Sequence, residues 1–269
     1  MSNIAGRFAQ LSYYKRTGLI VYLTTGFPDI RATLELVPAL VRGGADLIEL
    51  GIPFSDPLAD GATIQRASMR ALEQGVTMRQ CMDTCRALRE QGVNVPILLM
   101  GYYNPILRYG LERFCTEGFV SGIDGVIVPD LPPEEAEPLL RVCKDRRLDL
   151  IFMLAPTSTE ERIAKVAGMA SGFIYCVSLT GVTGARRDLS ADLPDFLARV
   201  RRHTSLPLAI GFGISSRQHV EAVGRYADAA VVGSALIDVI ERSPREEMAR
   251  NAQAFVEELT GRRPVEQQI

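Results

Sequence analysis

The chain has 269 residues, and 47% of them are hydrophobic, so it is long enough to bury a large core. Its 30 basic and 32 acidic residues nearly cancel and form no basic run, which argues against a nucleic-acid partner. We expect no membrane span and no secretory signal peptide, because no apolar run approaches ~18–20 residues and the first residues lack an apolar core.

In chain order, the first predicted element is a short amphipathic helix with Ile4, Phe8 and Leu11 on one face. Eight short apolar runs follow, and a helical pattern follows each of them. The runs read LIVYLTT, DLIEL, PILLM, GVIVP, LIFML, GFIYCVS, PLAIG and AAVVG. Their continuous apolarity predicts strands buried on both faces, as in a parallel sheet.

Two helical segments, 160–170 and 246–260, show a clear apolar face. Pro38 falls within the first helical pattern between strands, and we expect it to kink that helix or end it early. Cys81 and Cys85 lie four residues apart on another predicted helix. We interpret them as core residues rather than metal ligands, because no nearby histidine completes a site. Five cysteines without metal-binding spacing fit reduced thiols, and we predict a cytoplasmic protein.

The number of strand–helix units predicts the fold. Eight units in about 250 residues are what a closed (β/α)8 TIM barrel requires. An open doubly wound sheet is the alternative, although it usually has fewer strands. The spacing between the second and third strands is the longest, which predicts an insertion after strand 2, on the face where barrels carry active sites. We therefore expect residues 1–269 to form a single α/β barrel domain with an N-terminal helix and this insertion.

The stretch ELGIPFSDPLADG contains two candidate catalytic carboxylates. Glu49 is predicted near the C-terminal end of strand 2, and Asp60 on the following loop, which Pro53 and Pro57 stiffen. A carboxylate pointing into an apolar barrel has a raised pKa and exchanges protons near neutral pH. The alternatives are a Glu49 that pairs with an arginine outside the barrel, and an Asp60 that bonds the backbone of its own turn.

Glycines follow strands 7 and 8, in AIGFGISS and VVGSALI. Backbone N–H groups can approach a ligand closely there, and Ser234 is predicted near a helix N-terminus, which favours an anion. Barrels commonly hold a phosphate at this position, so we predict a phosphate site; turn geometry alone is the alternative. The segment SLTGVTGARRDLS after strand 6 is either a lid or an ordinary mobile loop.

Several chemistries are disfavoured by what the strand ends lack. Lys15, Lys144 and Lys165 are predicted away from them, which argues against a Schiff-base enzyme. His203 and His219 fall in predicted helices, which argues against a histidine-ligated metal at the catalytic face. No Rossmann or Walker fingerprint is present. The remaining expectation is carboxylate acid–base chemistry on a phosphorylated substrate, without cofactor or metal.

Five motifs together resemble the tryptophan synthase alpha subunit family over nearly the whole chain. They are ELGIPFSDPLADGATIQRA, LMGYYNPILRYG, GVIVPDLPPEEA, TGVTGAR and GFGIS. The resemblance implies a lyase of tryptophan biosynthesis that cleaves indole-3-glycerol phosphate to indole and glyceraldehyde 3-phosphate in a retro-aldol reaction. It implies that Glu49 is the general acid–base at the ring carbon and the side-chain hydroxyl. It implies that Asp60 binds the indole N–H and stabilises its developing positive charge.

The resemblance also implies the rest of the site. Thr183 would be the lid residue that reaches toward Asp60. The expected phosphate-binding positions are Gly184, Gly211, Gly213, Gly233 and Ser234. The expected indole pocket consists of Tyr22, Leu99, Met100, Ile127, Tyr175 and Phe212. Many members of the family carry Phe where this chain has Tyr22, and the added hydroxyl needs a partner.

The insertion and the lid are the family's docking surface for the beta subunit. The resemblance therefore implies an alpha-beta-beta-alpha heterotetramer in which indole passes to that partner. Interface residues are expected at Pro53, Asp56, Pro57, Asn104 and Pro132. Pyridoxal phosphate would belong to the beta subunit and not to this chain.

Two other interpretations stay open from the sequence. Phosphoribosylanthranilate isomerase and pentose-phosphate epimerases share the phosphate-binding pieces. However, an epimerase needs metal-binding histidines at strand ends, and none is predicted there. The isomerase usually needs a cysteine at the end of strand 1, and this chain has none at that place. The second alternative is a catalytically silent subunit that only activates its partner, against which the presence of both Glu49 and Asp60 argues.

Overall fold

The computed structural model describes residues 2–177, 192–211 and 213–261. Its strands are β1 (Gly18–Thr24), β2 (Leu47–Gly51), β3 (Ile97–Met100), β4 (Gly125–Ile127), β5 (Asp149–Leu154), β6 (Ile174–Val177), β7 (Leu208–Gly211) and β8 (Ala229–Val232). Each strand pairs in parallel with the next, and β8 pairs with β1, so the sheet closes into a barrel. The predicted TIM barrel is confirmed, and closure rules out the open doubly wound sheet.

Helices surround the barrel. In the described ranges they are α1 (Asn3–Tyr13), α2 (Ile30–Gly43), α3 (Ala62–Glu73), α4 (Met78–Glu90), α5 (Tyr103–Tyr109), α6 (Leu111–Val120), α7 (Glu137–Asp145), α8 (Glu160–Met169), α9 (Leu193–Arg201), α10 (Arg217–Val223), α11 (Ser234–Arg242) and α12 (Met248–Thr260). The predicted insertion after strand 2 is confirmed, since both α3 and α4 lie between β2 and β3. The prediction for His203 is wrong: it lies just beyond the end of α9. None of the described helices is long and apolar enough to cross a membrane.

The N-terminal helix closes one end of the barrel. Ile4, Phe8 and Leu11 of α1 are buried in the same cluster as the inward side chains of the strands. The rings of Phe8 and Phe173 lie 5.6 Å apart, next to the beginning of β6. Because α1 fills the end where the strands begin, a substrate has to enter where the strands end.

The expected break at Pro38 is wrong, because α2 continues through it to Gly43. A proline in a helix interior costs about 3 kcal/mol, mainly through a lost hydrogen bond and a clash. Good caps and packing offset that cost. Asp29 Oδ1 accepts the Ala32 N–H at 2.7 Å, and α2 packs so closely against α12 that a methyl group on Gly43 would lie 3.0 Å from Val256 Cβ.

Alternation along the strands divides the core into an inner and an outer layer. The inner layer fills the barrel, whereas the outer layer lies between strands and helices. Cys81 and Cys85 of α4 are buried in the outer layer, which confirms their interpretation as packing residues. Only residues of the inner layer can face a ligand inside the barrel.

Candidate active site

Glu49 lies inside the barrel on β2, opposite Tyr22 of β1. Its neighbours Ile48 and Leu50 belong to the outer layer, so alternation directs Glu49 inward, and the alternative of an outward pair with arginine is wrong. Its side chain is fully buried, and neither carboxylate oxygen accepts a hydrogen bond from the described residues. This desolvation raises the pKa of Glu49 to about 8. Glu49 is therefore protonated near neutral pH and can give its proton to a ligand.

The burial of Glu49 makes the stability of the fold depend on pH. The unfolded carboxyl releases its proton near pH 4.5, whereas the raised pKa lets the folded one keep it until about pH 8. The contribution of Glu49 to stability is therefore fully present below pH 4.5. It is lost as the pH rises toward 8, by about 3 kcal/mol at pH 7.

Glu49→Gln has no carboxyl to titrate at this position, so its stability advantage over the wild type should grow between pH 4.5 and 8. Urea unfolding of both proteins across this range measures the effect. Parallel stability curves for the two proteins would show that Glu49 has no raised pKa.

Asp60 is held on the loop between β2 and α3. Its backbone N–H donates to the Pro57 carbonyl at 3.0 Å, and its carbonyl accepts from Gln65 Nε2 at 2.9 Å. Burial raises the pKa of Asp60 to about 6, although a hydrogen bond from the Tyr102 hydroxyl acts in the opposite direction. Because Tyr102 stabilises the ionised form, the alternative of a merely turn-forming Asp60 is not favoured.

Tyr102, which holds the loop that carries Asp60, was not predicted as a site residue from the sequence. The same hydroxyl that bonds the Asp60 carboxylate accepts the Ala59 N–H at 2.9 Å. Tyr102 follows the end of β3, so it fixes the loop of β2 to the next strand of the barrel rim. The available signal was its place two residues after the apolar run PILLM, where parallel strands present side chains to a common edge.

Replacement of Tyr102 by Phe should lower activity through Asp60. Loss of the hydrogen bond raises the pKa of Asp60 above its wild-type value and loosens the loop, and we expect kcat to fall about tenfold. If Asp60 must be ionised, the acid limb of the pH–rate profile should move to higher pH. A lower kcat with an unmoved acid limb would instead assign Tyr102 a purely structural role.

Two tyrosines, Tyr22 and Tyr175, lie within electrostatic range of both Glu49 and Asp60. Tyr22 covers Gly51, where a side-chain Cβ would lie 2.1 Å from the phenol oxygen, and Tyr175 covers Gly211 in the same way at 2.3 Å. Burial raises the pKa values of Tyr22 and Tyr175, and the charges of Asp60 and Glu49 raise them further. Glu49 and Asp60 therefore lie near the same two phenols, at the C-terminal end of the barrel.

Of the expected phosphate-binding residues, Gly211 lies against Tyr175 and Gly233 lies against Tyr22. Gly233 occupies the N-cap position of α11, no side chain caps this helix, and the side chain of Ser234 is exposed at its first turn. Gly213 follows β7 with a φ of 77°, a conformation that favours glycine. Gly211 ends β7, and its missing side chain also makes room for Tyr175.

One residue expected in the indole pocket faces away from the barrel interior. Met100 and Ile127 belong to the inner layer, as a pocket requires, but Leu99 belongs to the outer layer. The expectation for Leu99 is wrong, because strand alternation turns it toward the helices when its two neighbours face inward. Thr183, Gly184 and Phe212 lie outside the described residues.

The sequence model of the family named "Tryptophan synthase alpha chain" matches residues 8–265. The chain belongs to the tryptophan synthase alpha chain family. This membership confirms the predicted enzyme class and reaction, the lyase cleavage of indole-3-glycerol phosphate to indole and glyceraldehyde 3-phosphate in tryptophan biosynthesis.

Relatives of the tryptophan synthase alpha chain family match over almost their full length. The chain is 59% identical to the tryptophan synthase alpha chain of Roseiflexus castenholzii over 261 residues, which are 97% of this chain and 100% of the relative. It is 56% identical to that of Chloroflexus aurantiacus over 259 residues, or 96% and 97% of the two chains.

Solved structures of this family also match. The crystal structure of tryptophan synthase subunit alpha from Legionella pneumophila superposes with a TM-score of 0.90 at 34% identity, over 97% of this chain and 98% of the other. A chain of tryptophan synthase from M. tuberculosis in an aminoacrylate-bound form matches with a TM-score of 0.86 at 35% identity, over the same shares. The barrel of this chain is therefore the fold that solved members of the family have.

Proposed function

We propose that this chain cleaves indole-3-glycerol phosphate with Glu49 as general acid–base and Asp60 as electrostatic stabiliser. The observation that carries the assignment is the position of the two side chains: Glu49 is fully buried inside the barrel with no hydrogen-bond partner among the described residues, whereas Asp60 lies on the loop that Tyr102 holds at the strand ends. Burial raises the pKa of Glu49 to about 8 and that of Asp60 to about 6. Between these values Glu49 is protonated and Asp60 is charged. Two carboxyl groups whose surroundings separate their pKa values are typical of an acid and a stabilising anion in one site.

In the proposed reaction, Glu49 first donates its proton to the indole ring carbon that bears the glycerol chain. The ring then carries a positive charge at its nitrogen, which the Asp60 carboxylate stabilises through the N–H group. The Glu49 carboxylate next removes the proton of the adjacent chain hydroxyl. The carbon–carbon bond breaks, its electron pair returns to the ring, and indole and glyceraldehyde 3-phosphate leave with Glu49 protonated again.

The phosphate would anchor the other end of the substrate. Gly213, Gly233 and Ser234 offer an uncapped helix start and a close backbone approach, which together suit an anion. We place Gly184 and Gly211 in the same role and Thr183 in the lid, for which the family resemblance is the only support. Tyr22, Met100, Ile127, Tyr175 and Phe212 are proposed for the indole pocket.

We further propose that the chain works in an alpha-beta-beta-alpha heterotetramer and passes indole to a beta subunit. Asp56 and Asn104 are exposed, as an interface requires, whereas Pro53 is buried and supports the loop from within. Pyridoxal phosphate would be held by the beta subunit, and this chain would need no cofactor. A single domain over 1–269 and a cytoplasmic location complete the proposal, and five buried free thiols suit a reducing compartment.

Incubation of the purified chain with indole-3-glycerol phosphate tests the proposed activity, with indole release measured before and after a beta subunit is added. We expect slow release by the chain alone and faster release in the complex. Release only in the complex, unaffected by Glu49→Gln or Asp60→Asn in this chain, would favour the catalytically silent subunit.

A further inference from the structure

The hydroxyl of Tyr22 makes little use of its hydrogen-bonding capacity within the protein. Among the described residues, it meets Thr24 Oγ1 at 3.3 Å. That distance is long for a bond between two hydroxyl groups, which is usually about 2.7–2.8 Å. Tyr22 is only 7% exposed, and buried tyrosine hydroxyls usually have a good partner. A ligand hydroxyl in the barrel mouth would supply one.

The side chain of Tyr22 extends from Gly233, at the proposed phosphate site, toward β2, the strand that carries Glu49. β1 lies between β8 and β2 in the barrel. At the base of the side chain, Tyr22 Cβ is 3.4 Å from where a Cβ on Gly233 would be. At the other end, the phenol oxygen covers Gly51, which lies two residues after Glu49 on the same face of β2.

A substrate held at both ends has to pass this side chain. In the proposed function, the ring carbon lies at Glu49 and the phosphate lies at Gly233 and Ser234. The glycerol segment joins the two and carries two hydroxyl groups. Glu49 needs the hydroxyl next to the ring, which becomes the aldehyde. The second hydroxyl lies midway along the chain, at the level of β1.

We propose that the Tyr22 hydroxyl hydrogen-bonds the second hydroxyl of the substrate's glycerol chain and thereby selects for a hydroxylated chain. The inference rests on the proposed function. Burial and the charge of Asp60 raise the pKa of Tyr22 above its usual value, so the phenol keeps its proton and is able to donate throughout the working pH range. Phenylalanine at this position would fill the same space without this contact.

The alternative is that Tyr22 only fills space over Gly51. Two ligands separate these roles: indole-3-glycerol phosphate, and 3-(indol-3-yl)propyl phosphate, which has the same ring and phosphate but no chain hydroxyl. A hydrogen bond to the chain acts on the first ligand alone, whereas a change of packing acts on both.

The test compares the wild type with Tyr22→Phe, which keeps the ring and should fold normally. For indole-3-glycerol phosphate, kcat/KM should fall about threefold to tenfold, the effect of one hydrogen bond. The inhibition constant of the propyl phosphate should stay unchanged. In the reverse reaction, KM for glyceraldehyde 3-phosphate should rise and KM for indole should not. Tyr226→Phe, in which the altered side chain is half exposed outside the site, is the matched control.

Equal effects on both ligands, or no effect on either, would overturn the role of Tyr22 while leaving the proposed function intact, provided that the wild type releases indole. A wild type that does not cleave indole-3-glycerol phosphate would remove the proposed function and this inference together.

Discussion

Glu49→Gln should abolish indole release while the substrate still binds. Glutamine has the shape of the protonated carboxyl group, but it can neither give a proton to the ring carbon nor take one from the chain hydroxyl. General acid–base catalysis contributes about 10²–10⁴-fold, and Glu49 acts in both proton transfers, so kcat should fall at least ~10³-fold. Since the variant buries no charge, the affinity for substrate should change less than about threefold. Single-turnover indole release and a calorimetric titration measure the two quantities.

Glu90→Gln is the matched control, because Glu90 is exposed at the end of α4 and the same substitution there should leave turnover unchanged. Turnover of Glu49→Gln within about tenfold of the wild type would be too fast for a site that had lost its general acid. The proton donor would then have to be another group.

Asp60→Asn should impair the reaction nearly as strongly. Asparagine can still accept the Tyr102 hydrogen bond but carries no charge to stabilise the cationic ring. Loss of one such electrostatic partner typically costs about 10²–10³-fold in kcat. In the wild type, kcat/KM should rise with pH through about 6, where Asp60 ionises according to its raised pKa. The residual activity of Asp60→Asn should lack that rise, which a pH–rate profile of both proteins detects.

Asp56→Asn is a control on the same loop, because Asp56 is exposed and its loss should not affect the chain assayed alone. If the Asp60→Asn profile still rose through pH 6, the titrating group would be a different one. Asp60 would then have no electrostatic role in the reaction.

The fold and the inward position of Glu49 were predictable because both leave a strong local signal in the sequence. Eight apolar runs with helical patterns between them match the number of strands in a closed barrel, and a glutamate in the interior of one such run is unusual enough to mark a candidate site. The prediction for Asp60 had less local support, because an aspartate in a proline-rich turn has an ordinary structural explanation. Its partner Tyr102 follows a different strand, β3. A contact between residues that follow different strands depends on how the strands pair, which neither sequence segment shows by itself.

The predictions for Leu99 and Pro38 were wrong for a related reason: contacts with distant parts of the chain decide both. PILLM is apolar throughout, so the run has no alternation that tells Leu99 from its inward neighbours Leu98 and Met100. That phase is set by the pairing of Glu49 with Leu98 across the sheet. The continuation of α2 through Pro38 likewise depends on packing against α12, which comes from the far end of the chain.

The crystal structure of Glu49→Gln with intact indole-3-glycerol phosphate tests the central claim most directly. It should show the side chain of residue 49 over the ring carbon that bears the glycerol chain. The Asp60 carboxylate should lie within about 3 Å of the ring nitrogen. An indole ring bound away from β2, or a ring nitrogen turned away from Asp60, would contradict the account.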